Sequence, residues 1–200
     1  MHVKLHGIAH QFPGQHFLFR ELNTTLLTNR VYALVGSSGS GKSTLLSILT
    51  GWLRPTEGSI SYEGIVRIGW VFQNPHGVPH RSAIDHVIVP LLARGLYRND
   101  AKKRAGELLS DFDLAHIADR PFCALSGGEA QRLMLARGIA AKPHLFLVDE
   151  PTAQLDTHTA QTVNKTLQSL ARMETIVVVA THDPCTRDSC TDIIDLSRFS

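Results

Sequence analysis

A glycine-rich stretch at residues 36–44, Gly-Ser-Ser-Gly-Ser-Gly-Lys-Ser-Thr, constrains the fold of this chain more than any other part of its sequence. It has the spacing G-x-x-x-x-G-K-[ST], in which loop amides enclose nucleotide phosphates. The apolar run 31–35 before it predicts a buried strand, and the apolar pattern of residues 43–53 after it predicts a helix. Because the motif requires strand, loop and helix in this order, we favour a P-loop α/β fold over a Gly/Ser surface loop.

The residue types in this stretch suit the binding of phosphate. Its glycines let the backbone turn tightly and aim N–H groups inward, and the following helix adds partial positive charge at its N-terminus. Lys42 can reach the β- and γ-phosphates, which also makes it a candidate catalytic residue, and Ser43 can ligate Mg²⁺. The candidate phosphate-binding residues are Gly36, Ser37, Ser38, Gly39, Ser40, Gly41, Lys42, Ser43 and Thr44.

The composition bounds the class of protein. With 200 residues, 43% of them hydrophobic, the chain can form one α/β domain with a substantial core. The formal net charge of +2 gives no sign of nucleic-acid binding, so we expect no nucleic-acid partner. No apolar run approaches the about 18 residues of a membrane span. The three cysteines lack metal-type spacing, which favours a reducing, cytoplasmic compartment.

The remaining composition signals point to ordinary surface features. His76, His80 and His86 lie near one another, but without cysteine partners or an H-x-x-x-H helix signal we expect solvated loop positions rather than a metal site. The first residues lack the apolar segment of a signal peptide, and the chain ends soon after its last predicted strand. We therefore expect neither a leader nor a C-terminal regulatory domain.

The hydrophobic patterns divide the chain into a catalytic core and a helical insertion. Strands are predicted at 3–9, with a hairpin partner at 17–20, and at 59–62 and 66–72. Residues 75–125 show helical patterns and no strand, and the alternation of strands and helices that follows is typical of a parallel sheet. We therefore predict a single domain over 1–200, with 1–74 and 126–200 as the core and about 75–125 as a helical subdomain.

An acidic pair, Asp149 and Glu150, ends the apolar strand predicted at 145–148. In a parallel sheet, ligands bind outside the carboxyl ends of the strands, which is where the glycine-rich loop also lies. Asp149 can hold Mg²⁺ directly or through water, and Glu150 can act as general base toward an attacking water. A simple acidic turn would be the better interpretation only if the glycine-rich loop were absent.

A second glycine-bearing segment, Leu125-Ser-Gly-Gly-Glu129, opens a helix predicted at 129–141. Ser126 and Glu129 have the spacing of a capping box, which is the structural interpretation. Two adjacent glycines are not needed for a cap, however, and they leave bare N–H groups able to bind a phosphate at Ser126, Gly127 and Gly128. A second phosphate site predicts a two-fold dimer that encloses two nucleotides.

These motifs together resemble the ATP-binding subunits of ABC transporters over nearly the whole chain, with the Walker A, signature and Walker B motifs in order. The resemblance implies ATP and Mg²⁺ as cofactors, a Q-loop glutamine at Gln73 that senses Mg²⁺ and the attacking water, and a catalytic switch histidine at His182. It also implies a D-loop aspartate at Asp156 and an adenine-stacking ring at Phe12. Glu129 and Gln154 depart from the commonest family choices without removing a catalytic group.

The resemblance also implies how the chain works. It predicts an ATPase that forms an ATP-dependent homodimer and powers a separate integral membrane permease, an exporter, from the inner face of the cell membrane. Segment 85–95 narrows the likeness to the macrolide-export, lipoprotein-release and cell-division group. The alternative is a mechanical signalling ATPase that moves a membrane partner without carrying a solute. DNA-repair and translation ATPases fit less well, since the sequence shows neither a long coiled coil nor a second ATPase unit. A small-molecule kinase would explain the glycine-rich loop but not residues 126–128 or His182.

Overall fold

The structure is a computed structural model that describes residues 1–153 and 155–199. Its eight strands are β1 (His2–Gln11), β2 (Phe17–Leu27), β3 (Arg30–Val35), β4 (Glu57–Glu63), β5 (Ile68–Val71), β6 (Leu145–Asp149), β7 (Ile176–Ala180) and β8 (Asp192–Asp195). Its six α-helices are α1 (Lys42–Leu49), α2 (Ala83–Ala93), α3 (Arg98–Asp111), α4 (Gly127–Ala140), α5 (Thr157–Ala171) and α6 (Pro184–Asp188). Among the described residues, no helix is long and apolar enough to cross a bilayer.

The strands form two sheets. β2, β1 and β4 make an antiparallel sheet in that order, and β5, β6, β7, β3 and β8 make a parallel one. β6 and β7 are buried along their whole length, because their near-continuous apolar sequences suit strands covered on both faces. The arrangement confirms the predicted α/β class, with a mostly parallel sheet, an N-terminal antiparallel sheet and inserted helices.

The parallel sheet separates two hydrophobic clusters. Alternate residues of β6 and β7 face opposite sides, so that Phe146 and Val148 join one cluster while Leu145 and Leu147 join the other. The first cluster includes buried residues of α2, α3, α4 and α5, and the second includes α1 and the antiparallel sheet. The carboxyl ends of β3, β6 and β7 are thereby held at one edge, where the loops that follow them meet.

The segment between β5 and β6 is helical, as predicted. Its described residues contain no strand, and the isolated bridge between Ser82 and Pro121 joins its two ends. One face of α3 is apolar, since Ala101, Ala105, Leu108 and Leu109 are all buried. The boundaries at 75 and 125, as limits of a subdomain, stay a prediction.

The structure corrects two local predictions and adds one short helix. β2 runs to Leu27 instead of ending near residue 20, because ladder pairing with β1 extends a segment whose own sequence pattern is weak. α1 ends at Leu49, and Trp52 is 71% exposed instead of lying on the apolar face of the helix. The short helix α6 had no prediction, since five residues are too few to show helical periodicity.

The prediction of a solvated loop position is wrong for His86. This residue lies on α2, is 3% exposed and packs beside the ring of Phe122. His76 and His80 are exposed, as predicted. The error has a physical reason: the partners that satisfy the polar atoms of His86 come partly from a loop whose path the sequence pattern does not show.

Candidate active site

A cavity of about 690 Å³ opens at the carboxyl edge of the parallel sheet. It brings together most of the residues singled out in the sequence, although they come from five separate stretches of the chain. Its lining consists of Phe12, Gln15, Leu18, Gly36, Ser37, Ser38, Gly39, Gly41, Lys42, Ser43, Thr44, Gln73, Asp149, Glu150 and His182. Ser40 is not among them, since its hydroxyl is buried against Gly36.

The glycine-rich loop has the backbone that its composition predicts. Gly39 and Gly41 have φ angles of +80° and +93°, in the left-handed region that favours glycine. A β-carbon on Gly41 would also lie 2.9 Å from the ring of Phe19. The loop ends where α1 begins at Lys42, so the first N–H groups of this helix lack intrahelical partners at the cavity.

The ammonium of Lys42 lies across this loop. It donates hydrogen bonds to the carbonyl oxygens of Gly36 at 2.9 Å and Ser37 at 3.1 Å. The lysine is therefore held by the backbone of the glycine-rich loop itself. A cation in this position can meet phosphate oxygens without a large movement of its stem.

Ser43 and Asp149 supply paired oxygen atoms beside the loop. The Ser43 hydroxyl donates to Oδ2 of Asp149 at 2.8 Å, although 106 residues separate the two positions. Burial raises the pKa of Asp149, the Ser43 hydrogen bond lowers it, and neighbouring Glu150 raises it further, with a net increase. Hydroxyl and carboxylate oxygens are ligands that Mg²⁺ prefers, and such sites use one or two carboxylates with substrate phosphates. The pair fits Mg²⁺.

Glu150 and His182 form the second side-chain pair of the cavity. Nδ1 of His182 lies 2.7 Å from Oε1 of Glu150, and the His182 backbone N–H donates to Oε2 at 3.4 Å. Glu150 is 8% exposed and has a φ angle of +48°, a left-handed conformation that a non-glycine residue rarely adopts. Its N–H donates to the carbonyl of Ala180, which locks the end of β6 to the end of β7.

Phe12 and Gln73 lie at the margins of the cavity. The rings of Phe12 and His10 are nearly perpendicular with centroids 4.9 Å apart, and Phe12 is 39% exposed. Gln73 follows β5 directly, and the preceding carbonyl of Phe72 accepts a hydrogen bond from the buried Gln131 of α4 at 3.4 Å. Gln73 therefore lines the cavity together with Ser43 and Asp149.

Four predicted nucleotide-binding residues lie away from this cavity. Ser126, Gly127 and Gly128 begin α4, where Ser126 and Glu129 form the reciprocal capping box. The hydrogen bond from the Ser126 backbone N–H lowers the pKa of Glu129. Asp156 caps α5 through Thr159. The neighbouring Gln154 lies outside the described residues.

The sequence analysis missed two residues of the cavity. Gln15 lies in the turn between β1 and β2, and Leu18 is the second residue of β2. Neither belongs to a motif. The only signal available was their place in a short hairpin next to Phe12, which could have extended the site along that hairpin.

Comparison with known proteins shows the family of the chain. The family described as ABC transporter matches residues 19–153. Two relatives named lipoprotein-releasing system ATP-binding protein LolD are similar to the chain. The protein from Geobacter metallireducens is 39% identical over 83% of this chain and 81% of the relative. The protein from Saccharophagus degradans is 36% identical over 86% and 82%.

A solved structure shows the same fold. It is the dimeric, post-hydrolysis state of the ATP-binding cassette MJ0796 bound to ADP and Pi. The alignment has a TM-score of 0.86 at 30% identity and covers 96% of this chain and 93% of that one.

Proposed function

The chain belongs to the ABC transporter family of ATP-binding domains and is an ATP hydrolase of that kind, and from this premise we propose how its residues divide the work. The observation that carries the proposal is the single cavity in which a glycine-rich loop, an oxygen pair and a Glu–His pair converge. We assign the loop, with Lys42, to the phosphates of ATP. Phe12 stacks on the adenine, since aromatic rings bind flat π-systems well.

The two acidic residues take different roles because their partners differ. Ser43 and Asp149, with Gln73 nearby, would hold Mg²⁺, which neutralises phosphate charge when bound. Glu150 is the general base that orients and deprotonates the attacking water. His182 holds the Glu150 carboxylate through the 2.7 Å contact and lines the same cavity, from which it would contact the γ-phosphate. Each of these assignments is a proposal.

The arrangement of the site supports a dimer. Ser126, Gly127 and Gly128 are exposed or partly exposed at a helix N-terminus and do not line the cavity of their own chain. We assign them, with Asp156, to the nucleotide of a second copy, so that two chains enclose two ATP molecules across a two-fold axis. The related cassette MJ0796 is a dimer with ADP and Pi bound.

We further propose that the dimer powers a separate membrane permease that exports its substrate, and that the chain is cytoplasmic and held at the membrane through that permease. The LolD relatives are named for lipoprotein release, which suggests a lipid-modified substrate. The alternative is a signalling ATPase that moves a membrane partner without transport. Both use the same hydrolysis cycle, so the geometry of the site does not separate them.

Hydrolysis is tested by replacing Glu150 with glutamine. We expect kcat to fall by about a hundredfold or more, since general bases contribute on this order. ATP binding should persist, because the loop and Lys42 are untouched, and the variant should accumulate as an ATP-bound dimer in size-exclusion chromatography. Glu57→Gln, at an exposed carboxylate of β4, is the matched control. Normal hydrolysis by Glu150→Gln would move the base to another residue, with His182 next in line.

An experiment with the membrane protein encoded beside this chain's gene distinguishes the transport hypothesis from the signalling hypothesis. The two proteins would be reconstituted in proteoliposomes containing a fluorescent lipidated peptide. ATP-dependent release of the peptide, absent with Glu150→Gln, supports export. Stimulation of ATPase activity by the partner without release supports signalling. A partner that neither binds the chain nor changes its ATPase rate would overturn the proposed pairing.

A further inference from the structure

A largely buried polar cluster lies on the chain segments that follow Glu150 and His182. It consists of Thr152, Asn164, Asp183 and Thr186, which come from the loop after β6, from α5, and from α6 with its cap. Thr186 is 1% exposed, and Thr152 and Asn164 are 6% and 7% exposed. No motif of the sequence analysis includes Thr186, and the roles proposed above do not use it.

The hydroxyl of Thr186 is the centre of this cluster. It donates to Oδ2 of Asp183 at 2.7 Å, and it lies 3.0 Å from the hydroxyl of Thr152 and 3.2 Å from Nδ2 of Asn164. A hydroxyl has one proton to donate and two lone pairs to accept with. The strongest contact, to the carboxylate, takes the proton, so Thr152 and Asn164 donate. All three hydrogen-bonding positions of Thr186 are then occupied.

The ionised state of Asp183 agrees with this arrangement. Burial acts to raise the pKa of Asp183, but the side-chain and backbone hydrogen bonds from Thr186 and the backbone N–H of Cys185 outweigh it, and the net shift is downward. The carboxylate therefore stays charged and holds the Thr186 hydroxyl in a single orientation. A neutral acid would let this orientation relax.

The cluster joins the two chain segments that carry the catalytic pair. Thr152 lies two residues after Glu150, and Asp183 lies one residue after His182. On the cavity side, these segments meet through the Glu150–His182 contact and the bond from Glu150 N–H to Ala180. They also meet through Thr186, because the Thr152 hydroxyl gives its one proton to Thr186 and lies 3.5 Å from Oδ2 of Asp183. Glu150 and His182 are thus held together by two sets of contacts, their own and those of Thr186, and Glu150 keeps its left-handed backbone.

We propose that Thr186 is a positioning residue for ATP hydrolysis: its buried hydroxyl ties Thr152 to Asp183 and so holds Glu150 and His182 in contact. This inference rests on the proposed roles of Glu150 and His182. It goes beyond them because it assigns part of the hydrolysis rate to a residue that does not line the cavity. Small displacements of catalytic groups cost rate, since reaction requires closely defined geometry.

The test compares Thr186→Val and Thr186→Ser with wild type. Valine keeps the shape of threonine but removes the hydroxyl, and serine keeps the hydroxyl. We expect kcat of Thr186→Val to fall about tenfold, equivalent to about 1.4 kcal/mol, with the affinity for a fluorescent ATP analogue unchanged. Thr186→Ser should recover most of the loss. Thr152→Val removes the other end of the bridge and should reproduce the effect if Thr186→Val does not fold.

Two controls separate positioning from general stability. Thr175 is equally buried and donates to the carbonyl of Pro143 at 3.1 Å, at the opposite edge of the sheet. Thr175→Val should lower the melting temperature as Thr186→Val does but leave kcat intact. In a His182→Ala background, Thr186→Val should cause little further loss, because residues that act through one another are non-additive.

Three results would overturn the inference. They are an unchanged kcat for Thr186→Val, an equal loss of kcat for Thr175→Val, and the same fold-loss with and without His182. Wild-type protein that binds but never hydrolyses ATP would instead contradict the proposed function, which keeps the two failures distinct.

Discussion

Among single residues, Lys42 has the position most directly suited to the phosphates proposed to bind in the cavity. Its ammonium is held by two loop carbonyls, and among residues 1–153 and 155–199 no acidic side chain pairs with it, so no salt bridge to a carboxylate must break before it meets phosphate. The loop thereby presents a cation together with N–H groups at the start of α1.

Replacement of Lys42 by alanine should therefore abolish hydrolysis and weaken ATP binding. Removing a charge-assisted contact to phosphate costs about 1.5–3 kcal/mol, which corresponds to a loss of affinity of about tenfold or more. Titration with a fluorescent ATP analogue, followed by a phosphate-release assay, measures both effects. Lys165→Ala, on the exposed side of α5, is the matched control. Near wild-type hydrolysis by Lys42→Ala would refute the assignment of this loop.

At the scale of the elements, His86 attaches helix α2 to the loop that follows Gln73. The Val78 backbone N–H donates to Nε2 of His86 at 2.9 Å, so Nδ1, 2.7 Å from the Ser82 carbonyl, must carry the proton. Burial lowers the pKa of His86, the Ser82 contact partly opposes this, and the charges of Arg137, Arg81 and Asp85 contribute less. The folded chain therefore favours neutral His86.

This contact predicts a pH dependence of stability. Because the folded-state pKa of His86 is below its ordinary value, the unfolded chain binds more protons in acid, and stability is lost as pH falls through the folded-state pKa. The melting temperature of wild type should fall between about pH 7 and pH 5. We expect a smaller fall for His86→Gln, whose amide can both donate and accept without titrating.

Thermal denaturation at several pH values measures this difference. His80→Gln changes an exposed histidine of the neighbouring loop and should retain the wild-type pH dependence. An identical pH dependence for wild type and His86→Gln would show that another group is responsible.

For the whole molecule, the proposed dimer makes each site depend on two chains. Lys42→Ala removes the cation from the cavity of its own chain, and Gly128→Asp places a negative charge at the helix N-terminus proposed to face the partner's nucleotide. Both homodimers should be inactive. Mixing them should restore about a quarter of wild-type activity, since about half of randomly formed two-fold dimers are mixed and each has one intact site.

The control for this mixing carries both substitutions in one chain. A Lys42→Ala chain mixed with a Lys42→Ala/Gly128→Asp chain has no intact loop and should stay inactive. If heterodimers form, as shown by differently tagged chains, and no activity returns in the first mixture, the signature segment does not act across the interface.

The sequence by itself determined the local features of this protein. The glycine-rich loop, the buried strands β6 and β7, the apolar face of α3 and the capping box at Ser126 are all encoded within short windows. In such windows, residue type and periodicity directly report backbone geometry and burial. The motifs were also enough to identify the family, because their order along the chain can be read from the sequence without any knowledge of contacts.

The tertiary structure alone decided which distant residues touch. The contacts from Ser43 to Asp149 and from Glu150 to His182 span 106 and 32 residues, and the Thr186 cluster joins three elements. The burial of His86 and the placement of β4 and β5 in different sheets likewise depend on the tertiary structure. These pairings depend on how strands register and helices pack around one core, and such long-range contacts leave no periodic signal in a local stretch of sequence.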